Sequence, residues 1–143
     1  MIQTYLSILR LQIQIIPTAG KRGHTYFFLL KVSVITAVLN GAETIRDCIK
    51  TVNGQSYPNI EHIIIDGGSK DGTLDIIKRY ENKIIKVISE PDNGIYDAIN
   101  KGIRQASGDV IGILHADDFY ANHKVIETIV KTLSENNADS CYA

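Results

Sequence analysis

The sequence has few of the residues that mark special classes of protein. Of its 143 residues, two are cysteines, three are prolines and none is tryptophan. Two cysteines cannot build a disulfide framework, and Cys48 falls on the apolar side of a predicted helix, which favours a reduced, buried thiol. No apolar run reaches the roughly 18 residues that a membrane-spanning helix requires. We therefore expect a cytoplasmic protein without a disulfide scaffold.

The chain also lacks an excess of either charge. It carries 15 basic and 16 acidic side chains, so its formal net charge is -1. Nucleic-acid-binding domains usually carry a clustered basic excess, and therefore we expect no nucleic-acid partner. With 44% hydrophobic residues, the composition is that of one globular domain with a real core.

Three common nucleotide and hydrolase motifs are missing. The sequence contains no Gly-Xaa-Gly-Xaa-Xaa-Gly fingerprint, no Gly-Lys-Ser/Thr phosphate loop and no Gly-Xaa-Ser-Xaa-Gly elbow. Each absence weakens one function class: dinucleotide-dependent enzymes, phosphate-loop ATPases and serine hydrolases of the α/β type.

The first thirty residues differ in pattern from the rest. Arg10, Gln12 and Gln14 interrupt the apolar character of residues 1–16, which argues against a secretory signal peptide. We predict that residues 1–30 are an N-terminal extension of uncertain structure with no role in the fold. The alternative is a short interfacial helix, which would give peripheral membrane association at the inner face of the membrane.

From Lys31 onward, short β-branched runs alternate with stretches of helical periodicity. This alternation predicts an α/β fold with a mainly parallel sheet flanked by helices. Asn40 and Glu43 have the spacing of a capping box before the first helix, and Asp71 or Thr73 can cap the second. The predicted strands are 32–39, 61–65, 84–89 and 109–114, with a further strand possible at 140–142; the predicted helices lie near 45–52, 74–80, 95–106 and 125–133.

Asp66 directly follows the apolar run Ile63-Ile64-Ile65 and begins the loop Asp66-Gly67-Gly68-Ser69. Ligands of open parallel sheets collect beyond the carboxyl ends of the strands. A carboxylate there can accept hydrogen bonds from a base or ribose, and glycines let the backbone approach a ligand. The alternative is a tight turn and helix cap that uses Asp, Gly and Ser for conformational reasons.

Asp117 and Asp118 end another apolar run. Two adjacent carboxylates at the end of a buried strand repel each other unless a cation or hydrogen bonds compensate. Mg²⁺ and Mn²⁺ prefer oxygen ligands, and Mg²⁺ often uses one or two carboxylates together with substrate phosphates. The alternative is a solvated acidic loop.

The predicted helix 95–106 places Asp97, Asn100 and Lys101 on its polar side. These side chains can reach a nucleotide or merely face water, since most helices have a polar side. Asn93 and Gly94 precede the helix, where free backbone N–H groups can meet an anion.

Five segments of the sequence share an order and spacing with a known family: residues 32–40, 65–73, 93–102, 107–109 and 116–118. Together they resemble the family 2 glycosyltransferases of the GT-A (Rossmann-like) fold. The resemblance runs from about Lys31 to the end, and one segment, Asn93 to Gly102, resembles the bacterial polysaccharide-assembly branch.

The resemblance implies an inverting, metal-dependent enzyme that transfers a sugar from a nucleotide-diphosphate sugar, commonly a UDP-sugar, to a glycan or lipid-linked acceptor. It assigns the metal, Mn²⁺ or Mg²⁺, to Asp118 with Asp117, and places Asp117 nearer the ribose. It places Thr36 and Ala37 beside the base and Asp66 on the nucleoside. The full set of expected nucleotide-sugar-binding residues is Thr36, Ala37, Asn40, Asp66, Asn93, Asp97, Lys101 and Asp117.

Two features depart from the family pattern. Gly67 stands where the family often has Asp, so one auxiliary carboxylate is absent. In the family the catalytic base comes from the acceptor-binding half beyond the metal motif, so we expect residues 31–143 to be the nucleotide-sugar-binding part only, truncated before that half, and we name no base. The alternatives are a non-catalytic nucleotide-sugar-binding module and a plain α/β interaction domain.

Overall fold

The computed structural model describes residues 12–15, 30–81, 86–136 and 140–142. In this part of the chain, no helix is long and apolar enough to cross a membrane. The strands are β1 (Gln12–Ile15), β2 (Val32–Val38), β3 (Ile60–Asp66), β4 (Lys86–Ser89), β5 (Val110–Ile113) and β6 (Ser140–Tyr142), and the helices are α1 (Ile45–Asn53), α2 (Thr73–Lys78), α3 (Ile95–Gln105) and α4 (Val125–Glu135).

The six strands form one sheet in the order β4-β3-β2-β5-β1-β6. β2 pairs in parallel with both β3 and β5, and β3 pairs in parallel with β4. The prediction of a mainly parallel α/β sheet is therefore confirmed, and so is the strand at 140–142, which pairs antiparallel to β1.

β1 is a departure from the sequence expectation. We expected residues 1–30 to have no role in the fold, but the backbone of Gln12–Ile15 pairs antiparallel with β5 and inserts between β5 and β6. The signal was present, because Gln-Ile-Gln-Ile alternates polar and apolar residues with the period of a strand. The remainder of that extension, and with it the alternative of an interfacial helix, lies outside the described residues.

The start of α1 also differs from the prediction. The helix begins at Ile45, and its N-cap is Thr44, which makes no side-chain capping hydrogen bond. The predicted capping box of Asn40 and Glu43 is therefore wrong. Asn40 instead adopts a positive φ of 51°, and its Oδ1 accepts a hydrogen bond from the backbone N–H of Lys70.

At α2, neither of the predicted capping residues is the N-cap: Asp71 lies one residue before it and Thr73 one residue after it. The N-cap itself is Gly72, with a φ of 94° that favours glycine. Asp71 Oδ1 accepts the backbone N–H of Thr73 at 3.1 Å, and its Oδ2 accepts the N–H of Ala42 at 3.0 Å. The turn before α2 is thereby joined to the loop that leads into α1.

The helices cover both faces of the sheet. On one face, α1, α2 and α4 bury the side chains of Val32, Val34 and Val38 from β2, together with Cys48 of α1. On the other face, α3 packs on Ile63 and Ile65 of β3 through Ala98. The predicted burial of Cys48 is confirmed, and that burial raises the pKa of its thiol to about 12.

α3 approaches the sheet most closely at Gly102. A Cβ atom at this position would overlap Cγ2 of Ile35 and would lie 3.4 Å from Cγ1 of Ile65, and both side chains are fully buried. The absence of a side chain at Gly102 therefore sets the distance between α3 and the sheet.

We expect Gly102→Ala to lower the free energy of unfolding by about 1–3 kcal/mol, because overpacking a tight core costs about this much. The higher helix propensity of alanine offsets only about 1 kcal/mol of that loss. Urea denaturation followed by circular dichroism measures the change. Asn100→Ala, at an exposed position of the same helix, is the control; equal stability of wild type and Gly102→Ala would contradict the packing argument.

A buried carboxylate ties the amino ends of β2 and β3 to the loop before β5. Glu61 accepts hydrogen bonds from Ser33 Oγ and from the N–H and Oγ of Ser107, and it forms an ion pair with Lys31 Nζ at 2.7 Å. Burial by itself raises the pKa of Glu61, but these hydrogen bonds outweigh it and lower the pKa to about 2.

Because the pKa of Glu61 is lower in the folded state, its stabilisation is complete above its ordinary value of 4.5 and is lost as the pH falls towards about 2. We expect Glu61→Gln to cost about 2 kcal/mol at pH 7, as for hydrogen bonds to a charged group, and less at pH 3. Denaturant titrations at both pH values measure the two differences. Glu135→Gln, at an exposed position of α4, is the control. A cost that stays constant with pH would contradict this interpretation.

Candidate functional site

Four parallel strands end at one edge of the sheet, and the loops that follow them contain most of the predicted site residues. The loops after β2, β3 and β4 are held together by main-chain hydrogen bonds, from Gly67 N to Val38 O at 2.9 Å and from Glu90 N to Asp66 O at 3.0 Å. The loop after β5 joins them at Ala116, whose Cβ lies 3.9 Å from the Cβ position of Gly41. The four loops therefore lie side by side at this edge.

Asp66, at the end of β3, is fully buried and organises these loops from below. Its Oδ2 accepts hydrogen bonds from the backbone N–H groups of Gly68 and Ser69, each at 3.1 Å, and from Ser89 Oγ at 2.7 Å. The carboxylate therefore binds the loop after β3 and the end of β4, and it does not face the solvent.

Asn40 links the loop after β2 to the loop after β3. Its backbone N–H donates to Ser69 Oγ at 2.7 Å, and its Oδ1 accepts the N–H of Lys70 at 2.9 Å. The residue is exposed, so it lies at the surface of this edge of the sheet.

Asn93, Asp97 and Lys101 connect the loop of residues 90–94 to α3. Asp97 Oδ2 accepts the backbone N–H of Asn93 at 3.1 Å, and this hydrogen bond is the main reason that the pKa of Asp97 is lowered. Lys101 Nζ lies 3.0 Å from Glu90 Oε1, 3.4 Å from Asp97 Oδ2 and 3.0 Å from the carbonyl oxygen of Pro91. The pKa of Lys101 is raised, mainly by its hydrogen bond to Glu90.

Thr36 and Ala37 lie within β2 rather than in the loops. Thr36 is fully buried, and its hydroxyl lies 2.9 Å from Nε2 of His62 and 3.7 Å from Sγ of Cys48. Its side chain therefore lies in the core, beside Cys48 of α1. Ala37 packs partly buried against the core under α3.

Asp117 and Asp118 follow β5 on the same edge. Asp117 is exposed and Asp118 is partly buried, and the backbone N–H of Asp118 donates to the carbonyl oxygen of His115 at 3.0 Å. Burial raises the pKa of Asp118, the charge of Asp117 raises it further, and His115 lowers it. The pair is therefore a local concentration of negative charge that a bound cation would relieve.

The carboxylate pair provides only part of a metal site. Among the residues that the structure describes, no three His, Cys, Asp or Glu side chains are grouped closely enough to hold a metal ion. Two aspartates nevertheless suit Mg²⁺ or Mn²⁺ when phosphate oxygens and water complete the coordination, as is usual for Mg²⁺ at nucleotide sites. Asp117 and Asp118 thus fit a divalent cation that arrives with a phosphate ligand.

Sequence reasoning missed two features of the edge. Asp92 lies against Gly67, with its Oδ2 2.6 Å from the position where a Cβ of Gly67 would stand. Exposed apolar side chains also gather in the loops and at the start of α3, where Leu39 is 59%, Tyr96 81% and Phe119 60% exposed. The glycine at position 67 was the available signal for the first, because it departs from the family pattern.

One cavity lies away from this edge. It has a volume of about 260 Å³ and lies at the end of α1 and the start of β3, lined by Asn53, Gln55, Tyr57 and His62 among others. Within the described ranges, Asn53 Nδ2 and His62 Nδ1 are buried without a hydrogen-bond partner. Burial lowers the pKa of His62 to about 3, so the ring is neutral. The carboxylate pair and the loop network remain on the opposite end of β3.

Comparison with proteins of known sequence and structure agrees with this arrangement. An uncharacterized glycosyltransferase of Mycobacterium tuberculosis, Rv1514c, is 41% identical over 104 residues, which are 72% of this chain and 40% of that protein. The putative teichuronic acid biosynthesis glycosyltransferase TuaG of Bacillus subtilis is 38% identical over 97 residues, which are 66% of this chain and 38% of TuaG. The chain thus spans about two fifths of the length of these relatives.

Solved structures show the same fold. Residues 1–349 of S. aureus TarS in complex with UDP-GlcNAc superpose with a TM-score of 0.70 and 25% identity, over 76% of this chain and 32% of that one. The mannosyltransferase PcManGT of Pyrobaculum calidifontis, in complex with GDP-Man and Mn²⁺, superposes with a TM-score of 0.69 and 24% identity, over 84% of this chain and 35% of that one.

The family model of glycosyl transferase family 2 matches residues 33–143, which include every strand of the sheet except β1 and the first residue of β2. This match, the sequence relatives and the shared fold agree with the resemblance found in the sequence. The chain belongs to glycosyltransferase family 2.

Proposed function

We propose that this chain is the donor-binding part of an inverting glycosyltransferase that uses a UDP-sugar and a divalent metal. Its acceptor is a hydroxyl of a glycan or of a lipid-linked sugar, in the synthesis of a cell-surface polysaccharide. The observation that carries the proposal is the position of Asp117 and Asp118 at the carboxyl end of β5, on the edge where four loops meet.

Two relatives support the choice of donor and pathway. The TarS structure with the same fold was determined with UDP-GlcNAc, which supports a UDP-sugar as the donor. TuaG carries the name of a teichuronic acid biosynthesis enzyme, which supports a role in polysaccharide assembly.

The carboxylate pair supports the requirement for a metal. A divalent cation held by Asp117 and Asp118 would supply Lewis-acid stabilisation to the negative charge that develops on the leaving diphosphate. The protein contributes the geometry: the hydrogen bond from Asp118 N to His115 O shapes the turn that carries both aspartates. Without a cation, the negative charges of the two aspartates would repel the diphosphate of the donor.

The transfer itself exchanges one bond for another at the anomeric carbon. The bond from that carbon to the diphosphate oxygen breaks with its electron pair, and a bond to the acceptor oxygen forms on the opposite face, which inverts the configuration. The acceptor hydroxyl must lose its proton to a general base. We assign no residue of the described part of the chain to that role.

We expect wild-type protein to bind UDP in the presence of Mn²⁺ and to bind it at least about tenfold more weakly without the metal, because two carboxylates and the diphosphate share the cation. In Asp118→Asn the metal should no longer improve binding, since one charged ligand is lost. Isothermal titration calorimetry with UDP, with and without Mn²⁺, measures both effects.

Glu135→Gln, which removes an exposed carboxylate of α4, is the matched control and should bind like wild type. Metal-independent binding of UDP, or an Asp118→Asn variant that retains the full effect of Mn²⁺, would contradict the proposed metal site. UDP binding together with no sugar transfer to any acceptor by the full-length protein would instead favour a non-catalytic nucleotide-sugar-binding module.

A further inference from the structure

β1 pairs with β5, the strand that leads directly to the carboxylate pair. Its four residues lie opposite the four residues of β5 in antiparallel register, from Gln12 with Ile113 to Ile15 with Val110. Ile113 is the last residue of β5, and Asp117 follows it four residues later. The start of β1 therefore lies beside the end of β5 from which the candidate metal site extends.

The backbone of β5 directs its N–H groups to both sides of the strand. The N–H of Leu114, the residue after β5, donates to the carbonyl oxygen of Ile35 in β2 at 3.0 Å. Because the N–H groups of a strand alternate in direction, those of Ile113 and Ile111 point away from β2 and towards β1. Without β1, these two N–H groups would stand at an edge of the parallel part of the sheet.

The register of β1 assigns a partner to each of these groups. Gln12 lies opposite Ile113, and Gln14 lies opposite Ile111. In an antiparallel ladder, opposite residues whose N–H groups face each other exchange both of their backbone hydrogen bonds. The backbone groups of Gln12 and Gln14 therefore bond to β5, whereas those of Ile13 face β6 on the other side.

The turn that carries Asp117 and Asp118 is held from its two ends. On the far side, the backbone N–H of Tyr120 donates to Thr51 Oγ1 at 3.3 Å, and the ring of Tyr120 is buried. On the near side the turn continues from β5, a short strand that pairs with β2 over only four residues and contains Gly112. A glycine inside a strand weakens it. The position of the carboxylate pair therefore depends on the support that β5 receives from its second neighbour, β1.

We propose that β1 is a positioning element of the candidate metal site. By pairing with β5 it fixes the strand that leads to Asp117 and Asp118, and its release weakens the metal-dependent binding of the donor nucleotide. This inference rests on the proposed function and assigns a role to a segment outside the family match, which begins at residue 33. β1 acts through the backbone of β5 and not as a ligand of the metal.

The first test is Gln14→Pro, because proline has no N–H to donate and is disfavoured inside a sheet. Gln14→Ala is the matched control, since it removes the same side chain but keeps the N–H. In Gln14→Pro the amides of Ile111 and Ile113 should exchange at least about tenfold faster, because their partner strand is released. Hydrogen exchange followed by NMR measures both amides. The amide of Ile64 in β3 should stay protected, which shows that the rest of the sheet remains folded.

The second measurement is calorimetric titration of the same proteins with UDP, with and without Mn²⁺. Gln14→Pro should bind UDP about tenfold more weakly than wild type when Mn²⁺ is present, because losing a contact that supports metal ligands costs about ten- to hundredfold. Without the metal, its affinity for UDP should equal that of wild type. Gln14→Ala should behave like wild type in both titrations. The dependence on Mn²⁺ therefore separates a role in positioning the carboxylate pair from a general loss of structure.

The results also distinguish this inference from the proposed function. If Mn²⁺ does not improve the binding of UDP to wild type, the proposed metal site fails, and this inference fails with it. If Mn²⁺ improves the binding of wild type and of Gln14→Pro equally, while the amides of Ile111 and Ile113 exchange freely in the variant, the inference is overturned and the proposed function stands. Equal exchange of these amides in wild type and Gln14→Pro, or an equal loss of UDP affinity with and without Mn²⁺, would overturn the inference as well.

Discussion

The whole arrangement depends on the burial of β2 between two parallel neighbours. β2 pairs with β3 along its full length and with β5 along half of it, and all its side chains except Ala37 are buried. A parallel sheet buried in this way needs helices on both faces. The backbone groups at the ends of the strands and helices must then find partners in the loops. Polar side chains and loop backbone groups are therefore concentrated at the two edges where the strands begin and end.

The two edges use their polar groups differently. At the amino ends of β2 and β3, Glu61 forms an ion pair with Lys31 and accepts hydrogen bonds from Ser33 and Ser107. Its charge therefore stabilises the contact between these elements. At the carboxyl ends, the buried carboxylate of Asp66 likewise accepts hydrogen bonds from the backbone of its own loop. Above it, however, Asp92 and Asp117 keep oxygens at the surface. Satisfied polar networks stabilise a fold, whereas polar groups left at a surface of converging loops are available to a ligand.

The order of strands and helices after residue 30 could be predicted from the sequence because it depends on local periodicity. β-branched runs and the helical spacing of apolar residues record which face of each element is buried. Caps were harder: Asn40 is used by Lys70, thirty residues away in the sequence, and a capping box read from spacing cannot include such a partner. The same limit applies to the close approach of Asp92 to Gly67, which spacing along the sequence does not show.

Residue types in the sequence predicted which edge of the sheet carries the candidate site better than they predicted which side chains reach its surface. Asp66 was expected to contact a ligand because it is a carboxylate at the end of a strand, and Thr36 because of the family resemblance. Strand alternation gave contrary information, since Thr36 shares a face with Val34 and Val38, and Asp66 shares one with Ile64, all of which are buried. The periodicity that identified the strands therefore also predicts which of their polar side chains are turned into the core.

β1 has a consequence for how the chain is made. Its residues pair with β5, so Gln12 meets Ile113 about a hundred residues later in the sequence. During synthesis, Gln12–Ile15 leaves the ribosome long before its partner strand exists, and no pairing with β5 can protect it until nearly the whole parallel sheet has been translated. Contacts this distant in sequence form slowly, and an unpaired strand is exposed to other chains in the meantime. The slowest step in forming this sheet should therefore be the return of its first strand.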